Sequence, residues 1–333
     1  IIVSVNGATE YKAKVIGTDP YMDLAVLQIE SDEKFETVSF GDSDKARIGD
    51  WVIAIGNPFG FGGTVTSGII SSRNRDIGLT RYDDFIQTDA SINQGNSGGP
   101  LVNMDGDLIG INTAIFSRTG GSQGIGFAIP IARVQETLSD FFAPEQLRGL
   151  WFGARVTIDG DSLRLSRVEP NSPAAKAGLR RGDTVIQVND KTVKDFVGWA
   201  KEIAGRGLKT VRLKIFRGGR FLTVPITLLP EEKVFNSKAI EERLGITVRS
   251  LTERIAEQLG MSFYGGYFIT KVEKDGPGSK AGLELDSVIQ RVDDKQPESL
   301  VAFAKDILAR STGDTIRLSV VWEIRRGVFL QRR

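Results

Sequence analysis

The protein has 333 residues, which is long for one hydrophobic core and predicts two or three domains. Hydrophobic residues make up 40% and charged residues 26%, as in ordinary globular proteins, and 43 basic side chains nearly balance 42 acidic ones, so nucleic acid is not expected as a partner. The absence of cysteine and histidine excludes disulfides, thiolate chemistry and the commonest transition-metal ligands, and neither a metal nor a cofactor is expected.

Short strands separated by glycine-rich turns are predicted up to about residue 130. Strand-like apolar runs occupy 13–16, 24–27, 51–55 and 108–111. This spacing favours an antiparallel barrel or sandwich over alternating strand–helix units. An amphipathic helix is predicted from about 131 to 142, with Pro144 ending it.

An internal repeat fills the rest of the sequence. The run VEPNSPAAKAGL at 168–179 returns as VEKDGPGSKAGL at 272–283, so the two registers differ by 104 positions. Val-Ile-Gln and then a helix with an Ala-Lys pair follow each copy. Self-similarity at this distance indicates two copies of one domain.

The hexapeptide GNSGGP at 95–100 is the most informative motif. A nucleophilic serine needs an exposed hydroxyl on a tight turn and backbone N–H groups free to hold an oxyanion. Glycines on both sides of Ser97 permit the backbone angles that aim those N–H groups inward. The alternative interpretation is a glycine-rich hairpin turn with an incidental serine.

These segments resemble the trypsin-like domain of the Deg/HtrA family of serine proteases. The matching stretches are 17–27, 55–60, 64–69, 85–90, 95–100 and 124–130. The resemblance implies a mainly β fold, in which a trypsin-like antiparallel double β-barrel precedes two α+β PDZ domains. The N-terminal strands of that barrel and its catalytic histidine have no counterpart here and are expected upstream of Ile1.

The resemblance also implies a domain layout. We expect a protease domain at 1–143, a first PDZ domain at 146–230, a linker at 231–242 and a second PDZ domain at 243–333.

Catalytic roles follow from the resemblance residue by residue. Ser97 matches the nucleophile, Asp23 matches the acid that orients the histidine, and the N–H groups of Gly95 and Ser97 match the oxyanion hole. Without the family motif, Asp23 would be interpreted as an ordinary strand-end carboxylate.

Four further residues match regulatory or specificity positions of the family. Ile92, Ile115 and Ile125 correspond to a shallow, uncharged specificity pocket that suits Val, Ile, Ala or Leu, because a basic side chain would lose its hydration there. The alternative is three ordinary core isoleucines. Arg75 corresponds to an activation-loop arginine, although a lone arginine in such a loop is usually only solvated.

The expected PDZ carboxylate-binding loops are unequal in their surroundings. The residues concerned are Trp151, Phe152, Gly153 and Ala154 in the first copy and Leu244, Gly245 and Ile246 in the second. The second copy has room for a helix at 251–260 and the first does not, so the first groove is expected to be shortened. Trp151 could be an apolar anchor for a peptide or could merely pack against the preceding helix.

The resemblance to the Deg/HtrA family implies an ATP-independent serine endoprotease of the bacterial periplasm. Its expected partners are unfolded or misfolded proteins, C-terminal peptides and further copies of itself in a homotrimer or larger homo-oligomer. The alternative is a non-catalytic PDZ scaffold or holdase chaperone. A histidine encoded shortly before Ile1 would favour the enzyme.

Overall fold

The computed structural model describes residues 1–5, 9–57, 63–78, 84–117, 120–205, 210–259, 265–311 and 313–321. The matched segment 58–60 and the end of the expected second PDZ domain, 322–333, lie outside these ranges. The chain forms two compact units, an N-terminal unit of Ile1–Arg148 with Phe152–Leu228 and a C-terminal unit of Gly149–Trp151 with Leu229–Arg333. None of the helices in the described part of the chain is long and apolar enough to cross a membrane.

The N-terminal unit begins with a three-stranded antiparallel sheet. Its strands are β1 (Ile2–Val5), β2 (Thr9–Asp19) and β3 (Leu24–Ile29), in that order. Two of these strands were predicted from their apolar runs.

A closed antiparallel barrel follows this sheet. It contains β4 (Trp51–Gly56), β5 (Thr64–Arg75), β6 (Phe85–Thr88), β7 (Pro100–Asn103), β8 (Leu108–Ile115) and β9 (Gly126–Pro130). The strand order around the barrel is β4-β5-β6-β9-β8-β7. Branched and small side chains such as Val52, Ile70 and Leu101 are fully buried inside it. The prediction of an antiparallel barrel is thus confirmed.

Two helices leave the barrel. The first, α1 (Ile131–Phe141), confirms the predicted amphipathic helix. Pro144 does not only end that helix, because it is the first residue of α2 (Pro144–Arg148). Proline suits this position since its missing N–H would have no helical partner there.

The first repeat is built on one sheet of the N-terminal unit. Its elements are β11 (Ala154–Asp159), β12 (Ser162–Val168), α3 (Pro173–Lys176), β13 (Thr184–Val188), β14 (Lys191–Thr192), α4 (Phe196–Ile203), β15 (Thr210–Arg217) and β16 (Arg220–Thr227), numbered along the chain. The sheet order is β11-β12-β13-β15-β16, with β14 beside β13. Phe152 and Trp199 pack edge to face at 5.7 Å and are almost fully buried.

The C-terminal unit contains the second repeat. Its elements are β10 (Leu150–Trp151), β17 (Leu229–Pro230), α5 (Glu231–Val234), α6 (Ser237–Leu244), β18 (Ile246–Ser250), α7 (Glu253–Leu259), β19 (Tyr267–Val272), α8 (Pro277–Lys280), β20 (Val288–Val292), α9 (Leu300–Leu308) and β21 (Leu318–Val321). The main sheet has the order β18-β19-β20-β21, and β10 pairs with β17.

The two repeats differ where the sequence predicts it. In the second, α7 connects β18 to β19, whereas in the first β11 and β12 form a hairpin through Gly160 and Asp161. The segment 231–242, expected to be a linker, instead contains α5 and most of α6. Ile240 explains this difference, because its side chain is fully buried in the core of the C-terminal unit.

An ion pair between a buried carboxylate and a partly exposed arginine stabilises the first repeat and gives a testable prediction. Asp183 is 2% exposed and accepts hydrogen bonds at 2.5 Å from both Nε and Nη2 of Arg217. Asp183→Ala removes both of these hydrogen bonds, although Arg217 Nη2 still donates to Gly178 O at 2.8 Å, and should lower the free energy of unfolding by about 1.5–3 kcal/mol. Urea denaturation measures this loss.

Asp159→Ala is the matched control, because its pair with Arg164 is half exposed. Its expected cost is below about 1 kcal/mol. Equal losses for the two variants would contradict the prediction.

Candidate active site

Ser97 lies on an exposed turn between Ile92 and β7. Gly95 and Gly98, on either side of it, have φ angles of 103° and 85°, in the left-handed region that favours glycine. The Ser97 hydroxyl donates to the carbonyl oxygen of Thr113 at 2.8 Å. The nucleophile predicted from the hexapeptide is therefore solvent-accessible and held at the rim of the barrel.

Strand β8 supports this turn from one side. Gly98 N donates to Asn112 O at 2.8 Å, and Asn112 N donates to Gly99 O at 2.9 Å. The buried Asn112 amide also donates to the carbonyls of Pro100 and Ile55. These bonds join the turn to barrel strands, so Ser97 sits on a rigid support.

Asp23 reaches the same rim from the three-stranded sheet. It has a φ of 53°, and its neighbours Met22 and Leu24 pack against the apolar cluster around Phe127. Its Oδ2 lies 3.5 Å from the hydroxyl of Thr113, whose carbonyl holds Ser97. Thr113 therefore lies between the two predicted catalytic residues, which do not contact each other directly.

The expected oxyanion donors lie on the same turn. Within the described residues, neither Gly95 N nor Ser97 N donates to another backbone group. The Gly95 carbonyl is engaged, since it accepts from Asn57 N at 3.2 Å. Two N–H groups thus remain available beside the Ser97 hydroxyl, as an oxyanion hole requires.

The three predicted pocket isoleucines fall into two clusters. Ile92, 1% exposed, lies in the barrel core with Ile115 packed against it. Ile125 packs instead against the cluster of Phe85, Phe127 and Ile129. Gly126 lies close to all three isoleucines. It follows Ile125 in sequence and pairs with Ile115 between β8 and β9, and a Cβ on it would lie only 2.8 Å from Ile92 Cδ1.

Arg75 ends β5 and faces β6. Its Nε donates to Gln87 Oε1 at 2.9 Å. Its proposed activation role remains a prediction.

The expected carboxylate-binding loops have intramolecular partners. Phe152 N and Gly153 N both donate to Glu145 Oε1 at 2.8 Å, so the first loop binds a carboxylate from within the chain. Ala154 begins β11 and is buried. Trp151 is not part of this arrangement, because it belongs to the C-terminal unit and packs against Phe235 at 5.0 Å.

The second loop is the end of a helix. Leu244 is the last residue of α6, Gly245 has a φ of 67° and donates to Glu241 O, and Ile246 begins β18. The Gly245 N–H is therefore already used in a hydrogen bond to a carbonyl oxygen at the C-terminal end of α6.

Several site residues carry no sequence signal. Thr113 acts through its backbone carbonyl, and Glu145 looks like an ordinary solvated residue after a proline. Only the pairing of distant segments reveals either. The described residues contain no group of three or more acidic, histidine or cysteine side chains able to hold a metal ion.

Comparison with known proteins identifies two domains. Residues 2–111 match the family model of a trypsin-like peptidase domain, and residues 164–217 match that of a PDZ domain. These matches agree with the closed barrel and with the first repeat.

Two curated relatives are named probable periplasmic serine endoprotease DegP-like. The protein of Bartonella henselae is 39% identical over 318 residues, 88% of this chain and 61% of that protein. The protein of Chlamydia muridarum is 37% identical over 338 residues, 96% of this chain and 67% of that protein. The chain thus spans about three fifths to two thirds of the length of these relatives.

Among solved structures, the HtrA-type protease AlgW with a decapeptide is similar. It shares 38% sequence identity, with 68% of this chain and 74% of that chain covered, at a TM-score of 0.42.

The support of the Ser97 turn gives a second prediction. A Cβ on Gly99 would lie 2.1 Å from the carbonyl oxygen of Ile55, which is backbone and cannot rotate away. Gly99→Ala should therefore displace the turn and cost about 1–3 kcal/mol of stability or more. Gly121→Ala is the matched control, because nothing lies within 4 Å of its Cβ. Thermal melts of both variants measure the difference, and equal melting temperatures would refute it.

Proposed function

The chain belongs to the DegP/HtrA family of trypsin-like serine proteases, and from this premise we propose that the protein is a serine endopeptidase with Ser97 as its nucleophile. The observation that carries the proposal is the turn itself. The exposed Ser97 hydroxyl lies on the same turn as the N–H groups of Gly95 and Ser97, which donate to no backbone group among the described residues. This arrangement suits formation and stabilisation of a tetrahedral acyl intermediate.

The proposed mechanism needs a general base in addition to these residues. In the structure the Ser97 hydroxyl donates to the Thr113 carbonyl, which cannot take up a proton. None of the 333 residues is a histidine, so the proposal requires one encoded outside them. Asp23 would orient that imidazole and stabilise its protonated form.

The proposed role is ATP-independent degradation of unfolded or damaged proteins in the periplasm. The names of the relatives support this location and activity. We also propose that the second repeat is a second PDZ domain, because β19, α8, β20 and α9 follow the same order as β12, α3, β13 and α4.

The proposed layout keeps a protease domain at 1–143 and PDZ domains at 146–230 and 243–333. PDZ domains bind peptide termini as added strands, which fits misfolded proteins as partners. Assembly into a homotrimer or larger homo-oligomer belongs to the same proposal.

The nucleophile is tested by Ser97→Ala in the full-length protein. Cleavage of unfolded casein should fall at least about a thousandfold, because a triad reaction loses its attacking group. Ser91→Ala, on another exposed serine, should leave turnover unchanged. Thermal melts show that both variants fold. Normal cleavage by a folded Ser97→Ala protein would refute the protease.

Specificity follows from the uncharged surroundings of Ile92 and Ile115. Cleavage should occur mainly after Val, Ile, Ala or Leu and poorly after Lys or Arg, whose charge would be desolvated without a partner. Preference among aliphatic residues should be loose, since one methylene in such a pocket is worth about 1–3 kcal/mol. Mass spectrometry of casein fragments maps the cuts, with the Ser97→Ala digest as the blank. A dominant Lys or Arg preference would exclude this pocket.

A further inference from the structure

Strand β11 is the edge of the first repeat to which a PDZ ligand would bind. Among the described strands it pairs only with β12. A peptide that adds as a strand would use the outward N–H groups of β11, and its terminal carboxylate would use those of the preceding loop. The N–H groups in question are those of Val156 and Ile158 on the strand and of Phe152 and Gly153 in the loop.

On β11, both outward N–H groups already have a side-chain acceptor from α1. Val156 N donates to Ser139 Oγ at 3.0 Å, and Ile158 N donates to Gln135 Oε1 at 2.7 Å. Gln135 also accepts from the Thr157 hydroxyl at 2.6 Å. Helix α1 thus takes the place of a neighbouring strand, although it supplies side-chain oxygens instead of backbone carbonyls.

In the loop, the Glu145 carboxylate occupies the position of a terminal carboxylate. Its Oε1 accepts from Phe152 N and Gly153 N, both at 2.8 Å. Its Oε2 lies 3.2 Å from Nη1 of Arg155, whose Nε lies 2.6 Å from Asp140 Oδ1. Burial lowers the pKa of Arg155, but Glu145 and Asp140 outweigh that effect and raise it, so the guanidinium stays charged and keeps Glu145 in place.

The three side chains that accept these hydrogen bonds are buried, so the contact between the helices and the first repeat is part of the packed structure. Gln135, Ser139 and Glu145 are only 3–7% exposed. Gln135 and Ser139 are four positions apart and share one face of α1. Polar side chains on a buried helix face are costly unless they are hydrogen-bonded, and here each meets backbone N–H groups of β11 or its loop.

We infer that α1 and α2 are an intramolecular ligand of the first PDZ repeat, with Glu145 standing in for the C-terminal carboxylate of a peptide. A peptide gains this groove only when these helices are displaced. The apparent affinity is then reduced by the fraction of molecules in which the groove is open. The inference rests on the proposed peptide-binding role of the repeat and restricts it.

The second repeat shows a related contact. Val248 holds the same place after Gly245 that Val156 holds after Gly153. Val248 N donates to Ser237 Oγ at 3.1 Å, and that hydroxyl donates to Val248 O at 2.8 Å. In both repeats the N–H group at the same strand position thus donates to a serine hydroxyl from an earlier helix, α1 in the first and α6 in the second.

Glu145→Ala tests the inference in full-length Ser97→Ala protein, in which the probe cannot be cleaved by that serine. The probe is a fluorescein-labelled peptide ending in Leu-Val-Val with a free carboxylate, and its C-terminal amide is compared with it. Removing Glu145 should tighten binding of the free carboxylate at least about tenfold by anisotropy, because the loop N–H groups are released. The amide should gain much less.

Glu136→Ala is the matched control, because that α1 side chain is exposed and pairs with Arg133, away from the loop. Should Glu145→Ala not fold, the Gln135→Ala/Ser139→Ala variant keeps Glu145 and Arg155. It should speed amide exchange at Val156 and Ile158 at least about tenfold, since their acceptors are gone.

Two results would overturn the inference. One is equal peptide affinity for folded Glu145→Ala and Glu136→Ala proteins. The other, for the double variant, is unchanged exchange at Val156 and Ile158. Casein cleavage by the protein with Ser97 intact reports on the proposed protease separately. A gain in peptide binding without any casein cleavage would leave this inference standing and refute only the protease.

Discussion

A backbone N–H group that is withdrawn from water must find an acceptor, and the main features of this protein depend on how that requirement is met. In the barrel, strand pairing closes on itself from β4 round to β7, so no barrel edge is left open. In the first repeat, the edge of β11 is satisfied by side chains of α1 and by Glu145. At the Ser97 turn, the N–H groups of Gly95 and Ser97 have no backbone acceptor in the described residues, and there the chemistry is proposed to occur.

Rigidity at the Ser97 turn comes from long-range bonds around it. Asn112 ties the turn to two barrel strands, and Gly99 lets the turn lie directly against the backbone of Ile55. Any larger residue at Gly99 would push the backbone away. Preorganised N–H donors are effective because they need no rearrangement when negative charge develops, so in the proposed mechanism the barrel contributes by restricting the motion of the turn.

The first PDZ repeat illustrates how one backbone geometry can serve two ligands. The N–H groups of Phe152 and Gly153 suit a carboxylate, whether it ends a peptide or belongs to Glu145. Glu145 has the advantage of being tethered on α2 and paired with the largely buried guanidinium of Arg155. A peptide must therefore compete with a carboxylate at high effective concentration. Helices α1 and α2 also join the barrel to the first repeat within the N-terminal unit. The segment proposed to fill the peptide groove is therefore the same segment that follows the protease portion.

The sequence by itself determined the features that depend on local backbone chemistry and on periodic patterns. Residue type and spacing predicted the exposed glycine-rich turn at Ser97, two of the barrel strands, the helix from Ile131 and the 104-residue repeat. The extra helix of the second copy was expected from the family resemblance together with the longer spacing. Tertiary structure alone decided the features that join distant segments. Trp151 and Phe152 are adjacent in sequence but belong to different units, and the expected linker is helical because Ile240 finds a core to fill. Glu145 and the Thr113 carbonyl have no distinctive local pattern, since their roles come from partners that only chain folding brings within hydrogen-bonding distance.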